Sequence, residues 1–201
     1  LPGVTAAGGT SRLPATGSFH SWPVRIETGP LAGTAVKQPE QPEHRTVSGE
    51  FFKTLGIPLL AGRTFDERDD EKAPMRAVVS ANLARVAFPG MPLEQVVGQR
   101  ISVLTRRGLR EIIGVVRDTK TVGVKEETLR TFYMPIAQEE QVDGASFYVR
   151  TSSDAATPAG TSIELRRNGT RFKTSCDGVL TDSLAGRVCG VANGYAPMWA
   201  M

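Results

Sequence analysis

The sequence predicts an α+β domain, built of short mixed β-sheets flanked by helices and arranged in two lobes. Three observations predict it. Apolar residues alternate with polar ones in several short runs, the period of half-buried strands. Between those runs lie short segments whose apolar residues recur at helical spacing. Gly and Pro punctuate the joints between the two kinds of segment.

The 201 residues suit one domain, or one domain split into two lobes. With 40% hydrophobic and 22% charged residues, the chain can build a packed core and is not a disordered segment. Only 6% of residues are aromatic, so that core is mostly aliphatic. The 24 basic and 21 acidic side chains are spread evenly and leave a net charge of +3, too little for a dedicated nucleic-acid binder, so no nucleic-acid partner is expected. No apolar run approaches the roughly 18 residues of a membrane helix, and no basic-then-apolar leader follows Leu1. A start at Leu1 suggests a piece of a longer protein.

The elements follow in order. Val4-Thr5-Ala6-Ala7 is a candidate short strand, and Val24 to Thr28 alternates as a half-buried one. Gly29 to Pro42 reads as a loop. Ser48 is a candidate N-cap for a helix carrying Phe51, Phe52 and Leu55 on one face; Gly56 closes it and Pro58 forbids continuation. Leu59 to Phe65 is extended, and Asp66 to Glu71 forms an acidic surface turn. Ala77-Val78-Val79 is a short buried strand. Ser80 then caps a helix through Phe88, which Pro89-Gly90 ends. Gly98 to Leu104 and Glu111 to Arg117 are strands joined as a hairpin through Arg107-Gly108. Thr131 to Ile136 and Ser146 to Thr151 are two further strands, with Asp143-Gly144 a turn before the second. Ser162 to Arg167 is expected to begin a helix on Ile163 and Leu165. Beyond Asn168, Gly169, Gly178, Gly186, Gly190 and Gly194 puncture every candidate helix.

The chemistry-bearing motifs are few. There is no GxGxxG, no P-loop, no GxSxG elbow and no HExxH pair. The sequence therefore offers no catalytic, cofactor-binding or metal site. His20 and His44 read as solvated loop histidines with no nucleophile beside them. Cys176 and Cys189 are two thiols or one facultative disulfide. The acids from Asp66 to Glu71 lack the offsets of a calcium loop. One of them is a candidate partner for Arg63, whose fork suits a carboxylate or backbone carbonyls. Arg106 to Arg110 reads as a basic hairpin tip kept soluble by its charge.

In this order the segments resemble a known family. Val47 to Phe65, with its Phe51-Phe52, Leu55-Gly56-Ile57-Pro58 and Gly62-Arg63 pieces, is similar to a signature of the MacB-like periplasmic domain. That domain belongs to ABC transporter permeases of the FtsX-like superfamily. Asp69, Ala77 to Ser80, Ala84-Arg85 with Phe88 to Gly90, Gly98 to Ile101, Ile112 to Asp118, Tyr133 to Pro135 with Gln138, and Tyr148 to Thr151 follow in the family's order. Ser80 stands where the family usually has Asn and Ala81 where it has an acid, and Pro92 to Val97 suggests a surface insertion. The resemblance covers residues 1–153 and leaves 154–201 as a divergent, poorly patterned tail that is expected to contribute little stability. It implies a structural motif of Phe51, Phe52, Gly56, Gly62, Arg63, Asp69, Gly98, Gly114, Val115, Val116, Asp118 and Pro135. It also implies one lobe of strand–helix–strand units and another that is mostly β.

The function so implied is non-enzymatic: an extracytoplasmic, periplasmic-side domain of a permease, coupling cytoplasmic ATP hydrolysis to export or lipoprotein-type delivery by mechanotransmission. The implied partners are the permease helices of the parent chain, a separate or fused ATPase, and a second copy in a homodimer. A free-standing secreted binding module is the alternative, and flanking apolar helices of about 20 residues in the parent gene would discriminate the two.

Overall fold

The structure is a computed structural model. It describes residues 4–11, 21–36, 42–103, 108–119, 130–139 and 146–151, together with the backbone of four short strands nearer the C-terminus. The strands are β1 (Val4–Thr10), β2 (Val24–Ile26), β3 (Ala35–Val36), β4 (Glu43–Gly49), β5 (Leu59–Gly62), β6 (Arg76–Ser80), β7 (Arg100–Val103), β8 (Leu109–Val116), β9 (Thr131–Pro135), β10 (Ser146–Thr151), β11 (Ser162–Arg167), β12 (Thr170–Ser175), β13 (Val179–Leu180) and β14 (Val188–Cys189). The helices are α1 (Phe51–Thr54), α2 (Ala81–Ala87) and α3 (Leu93–Val96).

Twelve strands join one mixed sheet in the order β13-β14-β10-β1-β4-β9-β6-β8-β7-β2-β3, with β5 added alongside β8. β4 with β9 and β6 with β8 are the parallel pairs. β11 and β12 form a separate antiparallel hairpin. The expected division into two lobes does not appear as two separate sheets.

Alternation along the central strands sorts the core onto the two faces. Ala77, Val79, Ile112, Val115, Phe132 and Met134 pack with Leu83, Ala84 and Ala87 of α2 and Val96 of α3. Val47, Val78, Ile113, Val116, Tyr133 and Tyr148 pack instead with Phe51 and Phe52 of α1. A bulge makes this sorting possible. The register of β6 on β8 slips between Ala77 and Val78, so Ile113 has no partner in the ladder. The extra residue shifts the phase, which puts Val115 on the face of Ile112 and Val116 on the face of Ile113.

The helix ends have local causes. Ser80 caps α2, its hydroxyl oxygen accepting from the Leu83 N–H at 3.3 Å and from the Thr131 N–H at 3.0 Å. Asp118, just past β8, accepts from the Asn82 N–H at 2.6 Å and satisfies a second free donor of the same turn. α1 closes on a Schellman pair: Ile57 N–H donates to Phe52 O at 2.8 Å and Gly56 N–H to Lys53 O at 3.1 Å. Gly56 takes the left-handed φ of 66° that this closure requires.

Several expectations are corrected. Ser48 is not a cap but part of β4, and Glu50 precedes α1 with no side-chain cap bond. The loop expected from Gly29 contains β3, which pairs with β2. Pro92 to Val97 is not merely a surface insertion, because α3 puts Val96 wholly inside the core. His44 is not solvated: it is buried in β4 and stacked on Trp22, ring centroids 3.5 Å apart. Arg110 does not belong to a solvated tip; it is buried in β8 and donates to Glu139 at 2.9 Å. Ser162–Arg167 is a strand, as the alternation of Ile163 and Leu165 between polar neighbours allows, and not a helix. His20, Arg106-Arg107, Asp143-Gly144, Cys176 and the tail glycines lie outside the described residues.

Phe52 anchors the α1 face. It is 4% exposed and meets Tyr133 edge-on at 4.9 Å and Phe51 at 5.4 Å. Phe52→Ala is expected to cost roughly 3–5 kcal/mol in urea unfolding. An unchanged midpoint would contradict this packing.

Candidate functional site

The most specifically built place in the described molecule is where β5 leaves β8. Gly62 and Gly114 are Cα partners there. A Cβ on Gly114 would stand 2.1 Å from the Arg63 carbonyl oxygen, and one on Gly62 would stand 2.2 Å from the Ile113 carbonyl oxygen. No side chain fits at either position. Gly62 also takes φ 72°, the left-handed region, which turns the chain out of the sheet. The Arg63 N–H still donates to Ile113 O at 2.9 Å, so the turn begins under backbone control.

That turn delivers Arg63 to Asp69. Its guanidinium forms a two-pronged clasp on the carboxylate, Nη1 to Oδ2 at 2.7 Å and Nη2 to Oδ1 at 2.8 Å. Asp69 Oδ2 accepts a third bond from the Asp66 N–H at 3.0 Å. Arg63 Nη1 also donates to Thr64 O at 3.1 Å and to Asp66 Oδ2 at 3.3 Å. Arg68 closes the outside, its Nη2 on Asp66 Oδ2 at 2.6 Å. The loop read from the sequence as a solvated acidic turn thus holds one buried acid, Asp69, with its charge matched.

Electrostatics follow from these contacts. Burial pushes the Asp69 carboxyl up, but the Arg63 hydrogen bonds, the Asp66 N–H and the Arg63 charge together outweigh it and hold the group below the usual carboxylate range. The Arg68 hydrogen bonds do the same to Asp66. The hydrogen bond to Asp69 raises Arg63 in turn.

Beside the clasp lies an open groove of about 830 Å³. Val47 and Ser48 at the end of β4, Phe52 of α1, Phe65, and Pro135 with Ile136 after β9 form its walls. Glu50, Lys53, Glu67 and Arg68 ring its mouth. Asp66, Arg68 and Asp69 reach the groove already committed to ion pairs, and Lys53 Nζ donates to Glu50 at 2.6 Å. Among the described residues no group of three or more His, Cys, Asp or Glu side chains is placed to hold a metal ion. The clasp bolts the loop from Thr64 to Asp69 to the sheet edge.

The remaining motif residues sit apart from the clasp. Gly98 takes φ 91° where the chain enters β7, and its N–H donates to Ile112 O at 2.7 Å. Val115 and Val116 fill opposite faces of the core. Pro135 ends β9 opposite Val47, and Asp118 caps α2. Sequence reasoning missed Gly8, over which α1 lies so closely that a Cβ would stand 2.4 Å from Phe51 Cα. The Gly8-Gly9 pair in an otherwise strand-like run was the available signal. It also missed the buried pair of Glu43 and Arg45, 2.8 Å apart at spacing i,i+2 on one face of β4.

A model of the MacB-like periplasmic core domain matches residues 22–164. The crystal structure of the periplasmic region of MacB from Actinobacillus actinomycetemcomitans is similar with a TM-score of 0.51 and 14% identity, over 77% of this chain and 79% of that one. The extracellular domain of the noncanonic ABC-type transporter YknZ from Gram-positive bacteria is similar with a TM-score of 0.49 and 15% identity, over 76% of this chain and 68% of that one. No curated protein matches the chain.

Acid is expected to loosen the clasp. Because the folded Asp69 carboxyl lies below its unfolded value, its stabilisation is complete above the ordinary carboxylate range and is lost as pH falls through the folded value. At neutral pH Asp69→Asn is expected to cost about 2 kcal/mol, a modest figure because Arg63 is partly open to solvent. The difference between wild type and variant should shrink on acidification in urea melts. A difference independent of pH would contradict the assignment.

The family model matches residues 22–164, most of the chain, and the fold is similar to that of the MacB periplasmic region, so the chain belongs to the MacB-like periplasmic core domain family, the extracytoplasmic domains of ABC transporter permeases.

Proposed function

We propose that this domain is a non-enzymatic mechanical element. In the parent transporter it passes motion from the permease helices, driven by an ATPase on the cytoplasmic side, to export or to delivery of a lipidated cargo. A second copy of the permease is its proposed partner. The residues proposed to keep it rigid are Phe51, Phe52, Gly56, Gly62, Arg63, Asp69, Gly98, Gly114, Val115, Val116, Asp118 and Pro135.

One observation carries the reading. Val4 on β1 and Thr151 at the end of β10, near the two ends of the span that the resemblance covers, are Cα partners on adjacent antiparallel strands. Side-by-side first and last strands of that span suit a domain inserted between two membrane helices. Displacement of either strand is then shared with the other through their ladder and passed through β4 into the rest of the sheet. A continuous sheet suits this task, because packed interiors transmit strain instead of absorbing it.

The test uses the parent permease with its ATPase in vesicles, carrying a spin label at the exposed Thr34 of each copy. ATP binding is expected to shift the distance between the two labels by several Å, on the order of a rigid-body switch. An unchanged distance distribution would contradict mechanotransmission. A parent gene without apolar helices of about 20 residues on either side would support the free-standing module instead.

A further inference from the structure

The order of strands and the path of the chain together require a closed shape. Four strands, β9, β6, β8 and β7, separate β4 from β2. In a flat sheet those two strands would stand about 24 Å apart, at five strand spacings. Register widens the gap. Glu43 of β4 lies level with Val116 of β8, whereas Arg25 of β2 lies level with Leu109, at the other end of β8. Yet Ser21 bridges Glu43, and Val24 is already in β2. The three residues between can reach no further than about 11 Å. The sheet therefore curls around α2 until its β2 end returns beside the start of β4. The core agrees, because Val24, Ile26 and Val36 share one cluster with Leu83 of α2 and with Phe132 and Met134 of β9.

The strap that closes this curl is Ser21-Trp22-Pro23. Its backbone is held on β4 by the Ser21–Glu43 bridge and by the Trp22 N–H, which donates to Pro42 O at 3.2 Å. Its side chain is held by His44, whose ring lies 3.5 Å from that of Trp22 with the planes 13° apart. Phe132 backs His44 at 6.1 Å. Pro23 fixes its own φ and disfavours a helical Trp22, so the strap has little slack. The strands beyond it are short: β2 has three residues and β3 has two. A ladder of that length holds poorly by itself.

We propose that Trp22 and His44 form a latch. Through their stacked rings the strap keeps the curled sheet closed and carries displacement of β4 straight to the β2–β3 edge, bypassing the four strands between. Closed, the latch makes the sheet move as one body. Released, it lets the β2–β3 edge open as a separate unit while the central strands stay paired. The permease reading supplies the load, through β1 onto β4; the latch itself is a property of this chain.

The test uses the 201-residue chain, with hydrogen exchange followed residue by residue. His44→Leu fills the buried site but offers Trp22 no ring. The Ile26 and Gly33 amides, bonded to Thr34 O and Ile26 O in the β2–β3 hairpin, are expected to exchange about tenfold faster or more. Amides of β6 and β8, which the ladder route would have to cross, should keep their rates. His44→Phe keeps a flat ring and should leave Ile26 and Gly33 within about twofold of wild type. If His44→Leu does not fold, Trp22→Leu cuts the same stack from the strap's side and is expected to give the same split. Unchanged Ile26 and Gly33 rates in a folded leucine variant would overturn the latch. So would faster exchange shared by β6 and β8, the mark of general destabilisation, or equal losses in His44→Phe and His44→Leu. None of these readouts needs ATPase or transport, so failure here leaves the permease reading to its own test.

Discussion

The fold's most demanding feature is a contact between two backbones with no room for a side chain between them. Gly62 and Gly114 face each other where β5 departs from β8, and a methyl group on either would overlap a carbonyl oxygen of the other strand. The bulge in β8 falls at the same place. One site therefore sets three things: the phase of the core residues that follow, the left-handed exit of the chain, and the starting direction of Arg63. The clasp on Asp69 depends on that direction, and the loop from Thr64 to Asp69 depends on the clasp. An ion pair on a loosely tethered loop would be worth little. Here the backbone sets the geometry first, and the two-pronged bond then costs less ordering.

The same layout explains the division of labour across the sheet. The face under α2 and α3 is aliphatic and dense, whereas the face under α1 carries the aromatic cluster of Phe51, Phe52, Tyr133 and Tyr148. The second face also takes in the Glu43–Arg45 pair, with both side chains almost wholly buried. Burying two charges is costly unless they neutralise each other, and the i,i+2 spacing on β4 puts them on one side of the strand. The groove beside α1 is bounded by the clasp on one side and by the ends of the parallel strands β4 and β9 on the other.

Much of this was legible in the sequence, for reasons specific to each element. Ala77-Val78-Val79 and Ile112 to Val116 are too apolar and too short to be anything but buried strands, and Ser80 before a helical run is a cap by its chemistry. Arg63 after a glycine invited an acidic partner; the spacing alone did not separate Asp69 from its neighbours, and it was the family resemblance that put Asp69 in the motif. What stayed hidden was hidden by charge or by brevity. Glu43, His44 and Arg45 look like solvent-facing loop residues, because self-pairing and stacking on Trp22 cannot be seen in one dimension. α3 is a single turn, and its buried Val96 carries no periodic signal. Ser162–Arg167 has two apolar residues at spacing two, too few to separate one face of a helix from the alternation of the strand that forms.

Gly114→Ala, followed by hydrogen exchange residue by residue, tests the central claim most directly. If the close approach of β5 to β8 governs the site, the added methyl must push the strands apart. The Arg63 amide, bonded to Ile113 O, should then lose protection by about tenfold or more, while amides of β6 and β9 keep theirs. Arg63 exchange as slow as in the wild type would show that the sheet edge accommodates the methyl, and would contradict the account.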